Sequence, residues 1–245
     1  MTIPSLYQLK KLIRAVDCAV TRKQSTVSFR GKNYRFFSTH WWPDATQEIF
    51  DSEIAPYFKP LADFQPETII DVGAATGHFS VVAKSLFPGA SIFAFEPAGR
   101  QRILLQRNAQ LNGIADIQIQ SVGLWNRADE LSFRSNGAES SIAEVSRFRG
   151  LLDFPETIPI VALDQWIDEN ALPSLDLIKM DAEGAEIEII EGAGRTLAQF
   201  HPRLLVQAYH LRDGVRTFER CARMLTAHHY EVSEVGDQTG LLYAK

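Results

Sequence analysis

The sequence predicts an α/β protein built on a doubly wound, mainly parallel sheet that ends in an antiparallel pair of strands. Three observations carry that expectation. From residue 66 onward, apolar strand patterns alternate with helical ones, the signature of a parallel sheet with crossover helices. The run Leu175 to Met180 is almost wholly apolar, as a central strand covered on both faces should be. Two further strand patterns, Tyr230 to Val235 and Leu241 to Ala244, are joined through Gly236-Asp237-Gln238. A terminal hairpin of this kind separates the arrangement from a purely parallel dinucleotide-binding sheet.

A boundary falls near Gln65-Pro66. Ahead of it, Ser5 to Val20 would place Leu6, Leu9, Ile13 and Val16 on one helical face. Val27, Phe29, Tyr34 and Phe36 alternate with polar residues on either side of Arg30-Gly31-Lys32-Asn33, which predicts a β-hairpin. Asp44 with Gln47 three residues on resembles a capping box opening a helix through Ile49, Ile54 and Phe58. Residues 1–65 are thus expected to form a small cap, and residues 66–245 the main domain. The run His40-Trp41-Trp42-Pro43 offers rings that suit stacking on a flat acceptor, or anchoring of the cap to the core.

In the main domain Thr68 to Val72 reads as the first strand. Phe79, Val82, Ala83, Leu86 and Phe87 keep helical spacing until Pro88-Gly89. Strands follow at Ser91 to Phe95 and Ile117 to Val122, with a helix around Ile103 to Leu111 between them. Gly123 to Pro159 is a less regular excursion with one extra strand (Leu131, Phe133) and a polar loop, SNGAESS. A short helix at Leu163 to Asp168 precedes the central strand. A helix through Ile189, Ile190, Ala193 and Leu197 leads to a strand at Arg203 to Tyr209, and the last helix carries Val215, Phe218 and Leu225.

The bulk properties narrow the class. The chain has 245 residues, 45% hydrophobic and 22% charged, an ordinary balance for a globular protein with a full core. A net charge of −5 gives no reason to expect nucleic acid. No apolar run approaches the ~20 residues needed to cross a bilayer, and Lys and Arg interrupt the N-terminal segment where a secretory signal would be apolar. Cys18 and Cys221 are the only cysteines. They cannot build a disulfide framework or a Cys-rich zinc site, so a reducing, cytoplasmic setting is expected.

Chemistry concentrates at three places. Asp71-Val72-Gly73-Ala74-Ala75-Thr76-Gly77 joins the first strand to its helix, where open α/β sheets bind ligands. Gly73 and Gly77 allow close backbone approach, and the helix N-terminus supplies oriented N–H groups. The site candidates here are Asp71, Gly73, Ala74 and Gly77. The spacing is D-x-G-x-A-x-G rather than G-x-G-x-x-G, which suits a ligand without a pyrophosphate. A tight strand–helix turn would want the same glycines for steric reasons alone. The second place is Glu96, ending the second strand, where such folds set an acid for ribose hydroxyls.

The third place follows the central strand: Lys179-Met180-Asp181-Ala182-Glu183-Gly184-Ala185-Glu186. Alternation sends Lys179 and Asp181 to one face, so Lys179 lies near the core and needs a carboxylate partner. Asp181 is the candidate to orient or deprotonate an acceptor hydroxyl, with Glu183 assisting or sharing a divalent cation. Glu186 reads as a first-turn acid favoured by the helix dipole. His78 and His210 are expected to border the same crevice, and His210 is a candidate general base. His201, His228 and His229 read as loop or surface residues.

On these stretches the sequence resembles the FkbM family of S-adenosylmethionine-dependent methyltransferases. The matching segments are TIIDVGAATGHFS, FAFEP, QRNAQLNG, VALDQW, LDLIKMDAEGAEIEIIEGA and HPRLLVQ, and they run from about residue 66 to 245. The resemblance implies a class I methyltransferase (Rossmann-like) fold and S-adenosylmethionine as cofactor, contacted at Asp71, Gly73, Gly77 and Glu96. It also implies transfer to a hydroxyl of a sugar or other small natural product, by direct displacement with no covalent intermediate. Two positions depart from the family: Ala75, where Asn is usual, and Gln207, where an acid is usual. The second points to an altered acceptor site or a lost one. A nicotinamide oxidoreductase and a catalytically silent S-adenosylmethionine-binding protein are the alternatives. The first 65 residues lie outside the resemblance.

Overall fold

The computed structural model of the protein describes residues 24–37, 46–134, 141–142, 155–212, 214–237 and 239–245. The helix expected at Ser5 to Val20, the His40-Trp41-Trp42-Pro43 run and most of the SNGAESS loop lie outside the described residues.

The chain begins with an antiparallel hairpin, β1 (Gln24–Phe29) and β2 (Lys32–Phe37). Its two-residue turn puts both Arg30 and Gly31 at positive φ, 48° and 76°, the mirror-image turn that matches strand twist. Val27, Tyr34 and Phe36 face inward, as the alternation requires. The following segment, residues 46–58, is one irregular helical stretch: an α turn at Thr46–Ile49, a π-helical turn at Phe50–Ile54 and a 3-10 turn at Ala55–Phe58. Asp44, the other half of the expected capping box, lies outside the described residues. The Gln47 amide oxygen accepts from the Ser28 backbone N–H (2.8 Å) and its nitrogen donates to the Ser28 carbonyl (3.3 Å), so it pairs with the free edge of β1.

Strands β3 (Thr68–Val72), β4 (Ser91–Phe95) and β5 (Ile117–Gln120) alternate with helices α1 (His78–Leu86) and α2 (Gly99–Leu111). The excursion that follows is more regular than its sequence suggested. It forms a second sheet from β6 (Gly123–Trp125), β7 (Asp129–Arg134), β8 (Ser141–Ile142) and β9 (Pro155–Ala162), in the order β6-β9-β7-β8. Two prolines in β9 hide its strand pattern from a sequence reading. Pro155 begins the strand and Pro159 faces Glu130 across the antiparallel ladder.

Helix α3 (Leu163–Asn170) leads into the central strand β10 (Leu177–Met180), all of whose residues are buried. The single helix expected next is two, α4 (Glu186–Glu191) and α5 (Gly194–Phe200). They part at Gly192, whose backbone passes so close to the Trp125 carbonyl that a Cβ would sit 2.1 Å from its oxygen. Then come β11 (Arg203–Gln207), the short β12 (Leu211–Arg212) and β13 (Val215–Arg216), and helix α6 (Thr217–Ala227). Val215 therefore precedes the last helix and is exposed, rather than lying on that helix's apolar face. β14 (Val232–Glu234) and β15 (Leu241–Ala244) close the chain.

The main sheet has seven strands in the order β14-β15-β11-β10-β3-β4-β5. β11, β10, β3, β4 and β5 run parallel, and β15 enters antiparallel between β11 and β14. This is the doubly wound sheet with a terminal antiparallel hairpin. The winding reverses between β3 and β10, so their carboxyl ends open onto a crevice.

The N-terminal elements share the core of this sheet. Val27, Phe36, Phe50, Tyr57 and Phe58 are buried in one cluster with Ile69, Phe79, Val81 and Val82. Asn108 on α2 and Asn112 at its C-cap dock the hairpin. Asn112 exchanges hydrogen bonds with the backbone N–H (2.9 Å) and C=O (2.7 Å) of Arg35, in the manner of a neighbouring strand. The fully buried Asn108 accepts from the Phe37 N–H (2.8 Å) and donates to the Thr76 carbonyl (2.8 Å), tying β2 to the glycine loop.

Candidate functional site

A cleft of about 650 Å³ opens at the carboxyl ends of the central strands. Gly73, Ala74, Ala75, Glu96, Asp181 and Glu183 line it, and the N-terminal segment contributes Phe36, Phe50, Glu53 and Tyr57. Asp71, Gly77 and His210 are not among its lining residues.

The glycine loop is shaped by what crowds it. Gly73 has φ of 69°, and a Cβ there would lie 1.9 Å from the Asp181 carbonyl oxygen. Only glycine lets the end of β3 pass the end of β10 at this distance. Gly77 opens α1 in the left-handed region (φ 85°), and its Cβ would meet Leu105 at 2.8 Å, so helix packing requires glycine here. Asp71 is fully buried beneath the loop. Its Oδ1 pairs with Lys179 Nζ at 3.1 Å and its Oδ2 accepts from Ser80 Oγ at 2.6 Å. Lys179 also donates to the Gly73 carbonyl at 3.1 Å. This is the carboxylate partner that a buried lysine required, and it makes Asp71 a support of the loop.

Glu96 sits where the second strand was expected to deliver an acid. Its two oxygens accept the backbone N–H groups of Ala75 and Ala98, each at 2.8 Å. Each oxygen keeps a further lone pair for a ligand. Burial pushes its carboxyl up to about 7, against the opposing pull of those two N–H bonds and of Arg102 and Lys179.

At the other end of the cleft, Asp181 Oδ2 accepts from the Tyr57 hydroxyl at 3.4 Å, while its buried Oδ1 has no partner. Burial raises the Asp181 carboxyl above its ordinary range, only partly offset by Lys179. Glu183 and Glu53 face the same space. The Glu53 carboxyl is also raised, by burial first and then by the charges of Asp181 and Glu183. Glu183 is held by a strained turn, with positive φ at Glu183 (52°) and Gly184 (99°). Glu186 pins that turn: its Oε1 accepts the N–H groups of Ala182 (3.2 Å) and Gly184 (3.0 Å) from a fully buried position. It is the expected first-turn acid of α4, but a buried one, and burial raises its carboxyl to about 7.

His210 lies behind Glu183, with Nε2 3.1 Å from Glu183 Oε2 and Nδ1 3.6 Å from Glu186 Oε1. Burial pulls its pKa down, but the hydrogen bond to Glu183 and the charges of Glu186, Glu183 and Asp181 leave it raised overall. Both neighbouring acids favour the protonated ring, which works against its taking a proton from a ligand. His78 does line the cleft, its ring tilted against Phe36 (centroids 4.2 Å apart), and burial pulls its pKa down to about 4. His201 is exposed and stacks on Tyr230. Among the described residues no group of three or more His, Cys, Asp or Glu converges as a metal site.

Sequence reasoning missed Glu53, Tyr57 and Tyr209 as cleft residues. Glu53 and Tyr57 belong to a segment whose irregular turns leave no clean helical period. The signal lay in Tyr57 itself, a polar-tipped ring in an otherwise apolar run that needs a partner when buried.

Comparisons with known proteins agree with this geometry. Residues 71–232 match the family model described as the methyltransferase FkbM domain. The chain is 26% identical to the 2-O-methyltransferase NoeI of Sinorhizobium fredii over 145 residues, 54% of this chain and 59% of that protein. It is 28% identical to the methyltransferase sdnD of Sordaria araneosa over 156 residues, 51% of this chain and 59% of that one. The matches thus span less than two thirds of these relatives' length. Among solved structures, a methyltransferase FkbM from Methylobacillus flagellatus superposes with a TM-score of 0.51 at 21% identity, over 73% of this chain and 43% of that one. This likeness shows a shared fold, and the sheet order is that of a class I methyltransferase. The matched model covers most of the main sheet and all three sequence sites, and the chain belongs to the FkbM methyltransferase family.

Proposed function

We propose that this protein transfers a methyl group from S-adenosylmethionine to a hydroxyl oxygen of a small polar acceptor. The observation that carries the proposal is the cleft itself, which joins Glu96 beside the glycine loop to the unpartnered Asp181 Oδ1. The residues present fit the cofactor. Glu96 has lone pairs left for ribose hydroxyls, Phe95, Leu124 and Ile158 supply an apolar wall, and Gly73 to Ala75 present backbone at close range. When bound, S-adenosylmethionine supplies an electrophilic methyl group on a positively charged sulfur.

The chain's own part is positioning and proton management. Orientation of a bound acceptor can contribute about 7–11 kcal/mol to such a reaction. Asp181 accepts the acceptor's hydroxyl proton through Oδ1, and its burial makes it a stronger base than a solvated aspartate. Tyr57, Phe36 and Phe50 shield that end of the cleft from water. His210 holds Glu183 in place rather than acting on the acceptor. The name of the S. fredii relative, a 2-O-methyltransferase, supports an oxygen acceptor. A nicotinamide oxidoreductase is not favoured, since the loop lacks the pyrophosphate fingerprint. The two cysteines fit a reducing, cytoplasmic setting.

The test is incubation of the purified protein with S-adenosylmethionine and a panel of monosaccharides and hydroxylated small molecules, read by mass spectrometry. A product heavier by one methyl group is expected, and Asp181→Asn should form it far more slowly while binding S-adenosylhomocysteine normally. Cofactor binding without transfer to any acceptor would favour a silent binding protein. Binding of NAD in place of S-adenosylhomocysteine would overturn the reading. EDTA in the same assay separates a metal-assisted route.

A further inference from the structure

Asp181 is held on both sides by unequal means. Its backbone is fixed in the sheet, with its N–H bonded to the Val72 carbonyl at 3.1 Å. Its carboxylate accepts one side-chain hydrogen bond among the described residues, at Oδ2 from the Tyr57 hydroxyl. Tyr57 comes from the irregular N-terminal segment, far from Asp181 in sequence, and is only 1% exposed. Its ring is itself locked, edge-on to Phe79 (centroids 5.7 Å apart) and beneath the Lys179 ammonium at 5.6 Å. The one polar atom on this ring is directed at the carboxylate.

We propose that Tyr57 is a positioning residue for methyl transfer, a hydrogen-bond donor that fixes the Asp181 carboxylate so that Oδ1 is presented to the acceptor hydroxyl. The inference rests on Asp181 being the proton acceptor. Tyr57 cannot be the base itself. Burial and the charges of Asp181 and Asp71 keep its hydroxyl well above the ordinary tyrosine range, so it stays protonated and donates. A donor on Oδ2 also favours the charged carboxylate, the form that can take a proton. The N-terminal segment is then part of the catalytic apparatus, and not only a cover on it.

The charged and titratable groups facing Asp181 are Lys179 on its own strand, Glu183 in the following turn, His210 after β11, and Tyr57. Glu53, Glu186 and Tyr209 feel its charge in turn. Tyr57→Phe keeps the ring and removes only the donor, leaving these other groups in place. The Asp181 carboxyl should then titrate at higher pH.

The experiment follows the full-length chain labelled with 13C-aspartate, the Asp181 signal being identified by its loss in Asp181→Asn. In Tyr57→Phe the Asp181 midpoint should move upward. With the best acceptor of the panel above, kcat should fall roughly tenfold, the acid limb of the pH–rate profile should move up with the midpoint, and both KM values should hold. A midpoint unchanged by Tyr57→Phe overturns the proposal, whether or not any acceptor is methylated. So does a lowered kcat with an unshifted profile, which would make Tyr57 a packing residue only. Should Tyr57→Phe fail to fold, the wild-type chain carrying 3-fluorotyrosine, a stronger donor, should move the midpoint downward, and no movement overturns the proposal. A panel with no methylated acceptor sinks the functional reading alone, since the titration still reports on Tyr57.

Discussion

Asp71 Oδ1 and Lys179 Nζ lie 3.1 Å apart beneath the glycine loop, and neither side chain is more than 5% exposed. Asp71 is the penultimate residue of β3 and Lys179 that of β10, and the two are paired in register across the parallel ladder. Lys179 reaches on to the Gly73 carbonyl, so a buried charge pair carries the loop that faces the ligand.

Removing one partner of this pair should cost far more than removing both. Lys179→Met leaves Asp71 charged and buried, a change of about 3–5 kcal/mol. The double variant Asp71→Leu with Lys179→Met should regain much of that loss. Urea unfolding midpoints of the two variants decide the matter, and equal midpoints would mean that the pair is not coupled.

Gly73 and Gly31 both adopt positive φ but differ in their surroundings. No atom lies within 4 Å of a Cβ built on Gly31, whereas one on Gly73 would strike the Asp181 carbonyl. Gly31→Ala should therefore cost only the left-handed backbone, about 1–2 kcal/mol. Gly73→Ala should cost clearly more and should also abolish S-adenosylhomocysteine binding by displacing the loop. Thermal melts and calorimetry read the two effects separately.

Glu96 and Glu186 are both raised from 4.5 to about 7 by burial. A carboxyl raised on folding stabilises the folded state in its neutral form. That contribution is complete below about 4.5 and is lost as pH rises through about 7. Replacing Glu96 with Gln should flatten this part of the stability profile. Ligand binding should run the other way. Ala75 and Ala98 each donate to one oxygen, and only the carboxylate keeps a charged free acceptor on both oxygens for the two ribose hydroxyls, so S-adenosylhomocysteine affinity should rise with pH through about 7. In Glu96→Gln the affinity should be weaker and independent of pH over the same range, as titration calorimetry would show.

A chain beginning at Asp63 should not fold on its own. Phe50, Tyr57 and Phe58 fill one apolar cluster with Phe79, Val81 and Val82, and their removal would bare the outer face of α1. Truncating even one such ring in a core costs about 3–5 kcal/mol. Circular dichroism and size-exclusion chromatography of the shortened chain should show loss of native structure. A folded monomer that still binds S-adenosylhomocysteine would instead make residues 1–62 a separable cap.

What the sequence determined by itself was whatever rests on local pattern. Strands β3, β4, β10 and β11 were legible from apolar runs, and the glycine loop, Glu96 and Asp181 from their places at strand ends. The hairpin at Arg30-Gly31 was legible from alternation and turn chemistry. The tertiary structure alone decided which of those residues face the cleft, because strand alternation assigns a side but not what stands over it. It put Asp71 below the loop and His210 behind Glu183, and it brought Glu53 and Tyr57 across more than a hundred residues to Asp181. It also broke the helix at Gly192, where a neighbouring backbone leaves no room for a side chain. These are outcomes of long-range packing, in which the partner of a residue depends on volume and burial elsewhere in the chain, and no periodicity in the local sequence encodes them.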